Sequence, residues 1–433
     1  MKRLLSLVLF LLFVEDKGDA YTKDLGAPLE WLYDILLDPT PIKLRPFDLL
    51  VLGVLVTGWF TKPKRAPQVA PMRAMLFVVL GTTVFWFLFG LLKGGEVRFA
   101  SWQTYLILSN VLLAFTMAAT FETAADFHAL GSLLVAAALY KGAMCWVSYF
   151  TWGRHRVGAS GTFLTDHDDT VTWVVSILIL VVQTIDRRKL GIALRNGALC
   201  LFFLGAIQFN SRRLAWVSLA MAIAVTYALF PQGIAKKRIR RLALIAAPLV
   251  LLYVVVGWGR QNAIFLPLRS LASVSTQEDG STLARNAENL GLIATANYAN
   301  WLFGSGWGRP YVYLTLKYDI GGFELWRYIP HNSILGILAF TGIIGFAGFW
   351  LAFPTAVFLN ARVARLAKDP KAKNVAIVGA AQMIVCANQL YGDMGIFFLK
   401  TMYVLGISYA IALRLPCAAG VWPVANPKAA TRG

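Results

Sequence analysis

The chain has 433 residues, of which 58% are hydrophobic and 15% are charged, and its formal net charge is +19. A soluble domain has about 25% charged residues, so this composition excludes an ordinary soluble protein. The apolar residues form repeated runs long enough to cross a bilayer, and runs without alternation predict helices rather than barrel strands. The sequence therefore predicts an all-α, polytopic integral membrane protein.

The positive charge has a simple explanation in a membrane protein. In a soluble protein it would suggest a nucleic-acid partner. In a membrane protein, Lys and Arg accumulate in the cytoplasmic loops and lie against anionic lipid headgroups. We therefore expect membrane lipid as a partner and no nucleic acid. The four cysteines lie in or just beyond apolar runs, and their spacing fits neither a metal site nor a disulfide.

The apolar runs give the order of the membrane spans. Leu4–Val14 is read as a retained first helix rather than a cleaved signal peptide, because Glu15, Asp16 and Lys17 follow it directly. About twelve spans are expected in all, within a single membrane domain covering 1–433. After the first run they fall near 46–61, 73–93, 102–121, 127–149, 171–186, 190–208, 213–230, 241–257, 332–358, 374–391 and 393–414.

The basic clusters predict the orientation. With the N-terminus in the cytoplasm, four dense clusters all fall inside: Lys62–Arg65 with Arg73, Arg187–Lys189, Lys236–Arg241 and Arg362–Lys373. The long polar interval 258–331 is then outside. In a Gram-negative envelope this makes it a large periplasmic loop of an inner-membrane protein.

Several arginines fall on this outer side. Arg212 and Arg213 follow Ser211 in a tight turn between two spans, and the alternative to a ligand-binding role is snorkelling to headgroups. Positive charge is disfavoured on the translocated face, so we expect these arginines to have an anionic partner. Arg285 lies near the start of a predicted amphipathic helix, where a simple pair with Glu288 is the alternative.

His331 stands at the mouth of the span 332–358. Pro330 cannot continue a helix from upstream, so His331 is expected at the helix N-terminus, whose partial positive charge disfavours imidazolium. A neutral imidazole can accept a proton and act as a general base. The alternative is a histidine that only caps the helix.

The remaining polar groups carry weaker signals. Gly304–Gly308 lacks the residues of a nucleotide-binding phosphate loop and is read as a flexible turn that could bring Trp307 near a sugar. A loop before the span 171–186 is read as solvated, because its spacing matches no metal motif; it contains Arg154, His155, Arg156, Asp166, His167, Asp168 and Asp169. Charges within spans are functional candidates by default, but no role is assigned to Lys141, Arg195 or Lys400.

In this order, the outer-face motifs resemble those of a known family. The motifs are Asn210-Ser211-Arg212, Gly280-Ser281 with Arg285, Gly304–Gly308, His331-Asn332 and Thr341–Gly345. The resemblance is to the O-antigen ligase/polymerase superfamily of bacterial envelope glycosyltransferases, and it is sharpest over 208–350. Arg213 and Phe340 depart from the usual pattern, which leaves the subfamily open.

The resemblance implies a reaction at the periplasmic face. Such enzymes move a glycan from a polyprenyl-pyrophosphate carrier to an acceptor hydroxyl. Arg212 and Arg285 would then hold the donor pyrophosphate, with Arg213 and Arg260 as helpers, and His331 would activate the acceptor. No cofactor or metal is expected, and direct displacement would invert the anomeric carbon.

Four functional readings remain open. An O-antigen ligase would attach O-antigen to lipid A–core in lipopolysaccharide biosynthesis, and this reading is preferred. An O-antigen or exopolysaccharide polymerase would use another carrier-linked glycan as acceptor, and a related enzyme would glycosylate protein. A secondary transporter is the reading from a different class. Transporters place charges at the midplane within inverted repeats, which this sequence does not display.

Overall fold

The computed structural model describes residues 2–14, 51–54, 56–57, 67–151, 164–186, 189–258, 260, 265, 268, 280–314 and 325–423. These residues form helices and connecting turns, with no strand among them, so the predicted all-α class is confirmed. The helices are α1 Lys2–Val14, α2 Ala70–Leu92, α3 Val97–Thr120, α4 Ala124–Thr151, α5 Asp169–Asp186, α6 Leu190–Phe209, α7 Arg213–Leu229, α8 Ile234–Gly257, α9 Gly280–Ala299, α10 Ser333–Trp350, α11 Ala352–Leu366, α12 Pro370–Gly392 and α13 Leu399–Ala418.

Nine helical stretches in the described ranges are long and apolar enough to cross a membrane. They are α2 to α6, most of α8, the continuous stretch α10–α11, α12 and α13. The 17-residue α7 is apolar but shorter. The predicted polytopic membrane class is therefore confirmed. The predicted span 46–61 lies mostly outside the described residues, and retention of the first helix stays a prediction.

Familiar sequence signals define several helix ends. Pro71 and Pro370 stand in the first turns of α2 and α12, where a missing N–H costs no helical bond. The Asp369 carboxylate accepts the Lys371 N–H at 3.0 Å, and the Asn332 side chain accepts the Leu335 N–H at 3.1 Å. Both are N-cap bonds of the kind that asparagine and aspartate commonly provide. Asn332 therefore sets the start of α10.

The interior is built around α12 and α13. α13 packs on α3 and α12, while α12 also contacts α5, α7 and α11. Nearly all of α13 is buried, whereas the described side chains of α8 from Lys236 to Val256 are exposed or only partly buried. α1 lies against α4, where Lys2 Nζ is 3.0 Å from Asp126 Oδ2. The bundle thus has a well-packed centre, and α8 lies outside it.

The predicted span 332–358 is broken by Gly342, whose φ of 62° and ψ of −173° lie outside the helical region. The break removes the normal partners of four backbone groups, and residues 301–306 supply new ones. Ile343 and Ile344 donate to the carbonyls of Trp301 and Leu302 at 2.8 and 3.2 Å. Ser305 and Gly306 donate to the carbonyls of Ala339 and Phe340 at 3.1 and 2.7 Å. Irregular backbone at membrane depth is tolerated only when it is satisfied within the protein.

The segment 301–308, called here the inserted segment, is packed rather than flexible. Trp307 is 2% exposed, and its backbone N–H donates to the Trp86 carbonyl at 3.3 Å. Gly304, Gly306 and Gly308 all have positive φ and lie against neighbouring backbone. The reading of Gly304–Gly308 as a flexible turn that could bring Trp307 to a sugar was therefore wrong. The glycines are needed because a Cβ would collide with α2, α3 or α10.

The break predicts a strong effect of adding one methyl group at Gly342. A Cβ there would lie 2.3 Å from the carbonyl group of Leu302, and left-handed backbone costs an L-residue about 1–2 kcal/mol. We expect Gly342→Ala to lower both the Tm of purified protein and its level in the membrane. Gly197→Ala is the matched control, because nothing lies within 4 Å of its Cβ position. Equal Tm values for the two variants would contradict this account of the break.

Candidate active site

One end of the bundle collects polar side chains from distant parts of the sequence. The start of α5, the α6–α7 turn, α9, the start of α10 and the α12–α13 loop are joined there by hydrogen bonds and ion pairs. We call this the site end. It brings together Arg212, Arg285 and His331, which the sequence predicted to act as one group.

The α6–α7 turn is anchored by Asn210. Its Oδ1 accepts the N–H groups of Leu164 and Thr165 at 3.2 and 3.3 Å, and its side-chain amide donates to the Asp166 carbonyl at 3.4 Å. Ser211 then adopts a positive φ of 53°, which turns the chain sharply into α7. Arg212 is the N-cap residue of that helix. The predicted tight turn is therefore present, and it fixes the backbone that carries Arg212.

Asp393, in the α12–α13 loop, is the carboxylate that faces Arg212. Its Oδ2 lies 3.7 Å from Arg212 Nη1 and 3.3 Å from His167 Nδ1. Burial is the largest influence and raises the pKa of Asp393. The hydrogen bond from His167 and the charges of Arg212, His167 and Arg285 together outweigh it and lower the pKa to about 2. Asp393 is thus an ionised carboxylate beside the two principal arginines.

His331 is paired with Glu288 of α9. Glu288 Oε2 accepts the His331 backbone N–H at 3.1 Å and lies 3.1 Å from its Nδ1. Tyr311 donates its hydroxyl to Glu288 Oε1 at 3.3 Å, and burial, followed by the nearby Glu288 charge, raises the pKa of that phenol. A carboxylate only accepts hydrogen bonds, so the contact is satisfied when Nδ1 carries the proton. Nε2 is then left to accept a proton.

Two of the structural alternatives, a capping His331 and an Arg285–Glu288 pair, are not what this geometry shows, while the catalytic role of His331 stays a prediction. Asn332, not His331, caps α10. Glu288 faces His331 and Tyr311, and among the described residues it forms no ion pair with Arg285. The predicted helix around Arg285 exists as α9. Its apolar residues Leu290 and Ile293 remain 59% and 39% exposed, while Glu288 is 2% exposed.

The arginines and the His331–Glu288 pair belong to one site. The Met394 N–H, next to Asp393, donates to the His331 carbonyl at 2.7 Å. The Ile396 N–H donates to Ser333 Oγ at 3.2 Å, which fastens the same loop to the start of α10. Arg285 and Glu288 are three residues apart on α9, so they lie on the same side of the helix. Chemically, the site offers cations for an anion next to a histidine that can take a proton.

A comparison with known protein families found a match for part of the chain. Residues 198–350 match a family profile described as O-antigen ligase. This matched range, about a third of the chain, supports the O-antigen ligase superfamily. Together with the apolar helices, it supports a membrane glycosyltransferase of the O-antigen ligase/polymerase type. A comparison with curated proteins found no match. The matched range contains the α6–α7 turn, α9 and His331, whereas His167 and Asp393 lie outside it.

The two predicted helper arginines have less support. Arg213 is the first residue of α7, adjacent to Arg212 and partly buried. Arg260 follows α8 and is exposed, and its described backbone bond is to Gly257 at 3.1 Å. No described contact joins Arg260 to Asp393 or His331. Its role in pyrophosphate binding therefore stays a prediction.

The acidic loop is buried where the structure describes it, so its reading as solvated was wrong for residues 164–169. Asp168 and Asp169 are 1% and 0% exposed. Lys141 Nζ lies 3.2 Å from Asp169 Oδ2, and Lys400 Nζ contacts Asp169 Oδ1 and lies 3.9 Å from Asp168 Oδ1. Lys141 and Lys400, which had no role assigned from the sequence, thus neutralise two buried carboxylates. Arg154, His155 and Arg156 lie outside the described residues.

Other polar groups also have local partners. Arg195 donates to the Asn196 side chain at 3.2 and 3.0 Å, and Asn196 in turn donates to the Leu180 carbonyl at 3.2 Å. This links α6 to α5. His167, from the acidic loop, instead reaches Asp393. Within the described ranges, no group of three or more His, Cys, Asp or Glu side chains is placed to hold a metal ion.

The buried lysines predict a stability effect that depends on charge balance. Lys141→Met would leave Asp168 and Asp169 with one ammonium, and breaking a buried ion pair costs about 3–5 kcal/mol. We expect a lower Tm for this variant. Lys141→Met combined with Asp169→Asn should recover most of the loss, because it restores neutrality. The exposed Lys189→Met is the control. A single variant as stable as wild type would exclude a stabilising role for the network.

Proposed function

We propose that the protein transfers a glycan from a polyprenyl-pyrophosphate carrier to an acceptor hydroxyl, as an O-antigen ligase that attaches O-antigen to lipid A–core. The observation that carries this proposal is the contact between two parts of one site. Arg212 lies 3.7 Å from Asp393, the charge of Arg285 helps to lower the Asp393 pKa, and the residue after Asp393 bonds to His331. An enzyme for this reaction needs cations at the leaving pyrophosphate and a base at the acceptor, close together.

Arg212 and Arg285 would serve the leaving group. The bond from the anomeric carbon to the pyrophosphate oxygen breaks, and its electron pair leaves with the carrier. Arginine forks can hold phosphate oxygens through paired hydrogen bonds and stabilise the charge that develops there. In this structure the Asp393 carboxylate lies beside Arg212. The donor pyrophosphate would take over part of that interaction, so no metal is required.

His331 would serve the acceptor. Its Nε2 removes the proton of the acceptor hydroxyl as the oxygen bonds to the anomeric carbon from the side opposite the pyrophosphate. This direct displacement inverts the configuration. Glu288 holds Nδ1 and stabilises the imidazolium that forms, as a carboxylate does for a catalytic histidine in other hydrolases and transferases.

An apolar cavity supports a lipid-linked donor. It is lined by Ile337, Leu390, Ile396, Met402 and Tyr409, among others. Ile396 is the residue whose N–H bonds to Ser333 at the start of α10. The cavity therefore begins next to the α12–α13 loop that carries Asp393. Part of a polyprenyl tail could lie there while the pyrophosphate reaches the arginines.

We place the site on the periplasmic face of the inner membrane, within an outer loop covering 258–331. This placement is supported by the basic residues Lys189, Lys236–Arg241 and Arg362–Lys373, which mark the opposite side by the positive-inside rule. In a cysteine-free background, Asn286→Cys should react with a membrane-impermeant thiol reagent in cells with a permeabilised outer membrane. Gln232→Cys should not react. Both positions are exposed, and the reverse pattern would overturn the orientation.

The direct test of the reaction uses purified protein, lipid-linked glycan donor and lipid A–core. We expect transfer in excess EDTA, because arginines replace the metal in this proposal. Activity lost to EDTA and restored by Mg²⁺ or Mn²⁺ would refute the metal-free part. The acceptor is tested in a deletion strain. Bare core with free carrier-linked long chains indicates a ligase, and loss of chains longer than one repeat indicates a polymerase.

The division of roles predicts different defects in different variants. His331→Ala should retain donor binding and lose transfer by about 10²–10⁴-fold, the usual contribution of a general base. Arg212→Gln and Arg285→Gln should weaken donor binding as well as transfer. Glu288→Gln should give a smaller loss and change the pH profile of transfer. His128→Ala, in α4, is the control. A well-folded His331→Ala protein with wild-type transfer would exclude the base.

A further inference from the structure

A second group of arginines lies at the outer end of α3, and the proposed reaction does not use it. Arg98 is on α3, Arg309 follows the inserted segment, and Arg327 precedes α10. Gln103 holds these parts together. Its Oε1 accepts the Gly308 N–H at 2.6 Å, and its Nε2 donates to the Tyr328 carbonyl at 2.6 Å. Gln103 is 3% exposed, so this amide is a fixed bridge between Gly308 and Tyr328.

Aromatic rings accompany these cations. Phe99 and Tyr328 stack with centroids 3.8 Å apart, and the Arg98 guanidinium lies 5.9 Å from the Phe99 centroid. The Arg327 guanidinium lies 5.8 Å from the Trp326 ring. Arg98 is exposed, and Arg309 and Arg327 are partly exposed. We call Arg98, Arg309, Arg327, Phe99, Trp326 and Tyr328 the arginine–aromatic surface.

The arginine–aromatic surface is connected to the His331–Glu288 pair. The Tyr311 backbone N–H donates to the Arg327 carbonyl at 2.9 Å, and the Tyr311 carbonyl accepts a hydrogen bond from Arg327 Nη2 at 3.3 Å. The hydroxyl of the same tyrosine donates to Glu288. The donor arginines reach His331 through a different neighbour, the Asp393–Met394 pair. His331 is therefore connected to two separate arginine groups.

Two arginine groups around one base suit a reaction between two anionic substrates. The donor pyrophosphate accounts for Arg212 and Arg285. We propose that the arginine–aromatic surface binds the phosphate-bearing sugars of the acceptor glycolipid. Arginine forks recognise phosphate, and ring faces pack against the apolar faces of sugars. This inference rests on the proposed function, and it names which part of the acceptor the enzyme recognises.

The phosphate groups that bind to the arginine–aromatic surface could come from two sources. One is the acceptor glycolipid, and the other is the headgroup of a bulk anionic phospholipid, to which interfacial arginines also bind. The aromatic rings favour the glycolipid, because a phospholipid headgroup offers no sugar ring to stack. A comparison of the two lipids is therefore part of the test.

Binding is measured without donor, so that its outcome does not depend on transfer. The full-length protein is titrated with phosphorylated lipid A–core, with the same molecule after enzymatic dephosphorylation, and with phosphatidylglycerol vesicles. We expect Arg98→Gln combined with Arg309→Gln to weaken binding of the phosphorylated acceptor at least about tenfold. The same double variant should bind the dephosphorylated acceptor and the vesicles as tightly as wild-type protein does. Arg365→Gln, at the end of α11, is the matched control.

Arg327 is tested separately, because its guanidinium also donates to Tyr311. Arg327→Lys keeps the charge but loses the planar fork, and it should weaken binding of the phosphorylated acceptor without changing the KM for donor. Unchanged binding in all these variants overturns the inference, as does equal weakening with vesicles or with dephosphorylated acceptor. Absence of transfer together with arginine-dependent binding would refute the proposed function and leave this inference standing.

Discussion

The site end depends on a buried, neutral set of charges in which Lys141 and Lys400 face Asp168 and Asp169. A charge within the membrane is costly unless it is paired and hydrogen-bonded, so these four groups require one another. The set joins α4, the start of α5 and the start of α13. The Lys400 N–H also donates to Asp168 at 2.8 Å, which fixes the backbone at the start of α13.

The position of Asp393 follows from that fixed backbone. Asp393 lies seven residues before Lys400, and His167 lies one residue before Asp168. The same charge network therefore holds both partners of the His167–Asp393 contact, and Asp393 in turn faces Arg212. The network takes no part in the proposed reaction, yet it determines the positions of Asp393 and of Arg212, which faces it. Asp168 and Asp169 thus serve as partners of the two lysines, and the described part of the loop, 164–169, contains no group placed to hold a metal ion.

The sequence predicted the features of the fold that depend on local residue patterns. Apolar runs, basic loops and helix-start residues gave the helical class, most span boundaries and the tight turn at Arg212. It did not predict partners that meet across long separations. Glu288 and His331 are 43 residues apart, and Lys400 and Asp169 are 231 apart. Nothing local distinguishes Glu288 from a solvated carboxylate. A useful signal was available at Lys141, Lys400 and the acidic loop, because charges of opposite sign in or beside spans predict pairing.

The inserted segment has a consequence for how the chain assembles in the bilayer. α10 cannot enter lipid as an independent broken helix, because four of its backbone groups find partners only in residues 301–306. Those residues in turn bond to Trp86 of α2, which is synthesised more than two hundred positions earlier. The early and late helices must therefore associate before this region is complete. His331, the proposed base just before α10, is thus placed only in a chain in which α2 and the inserted segment have already met.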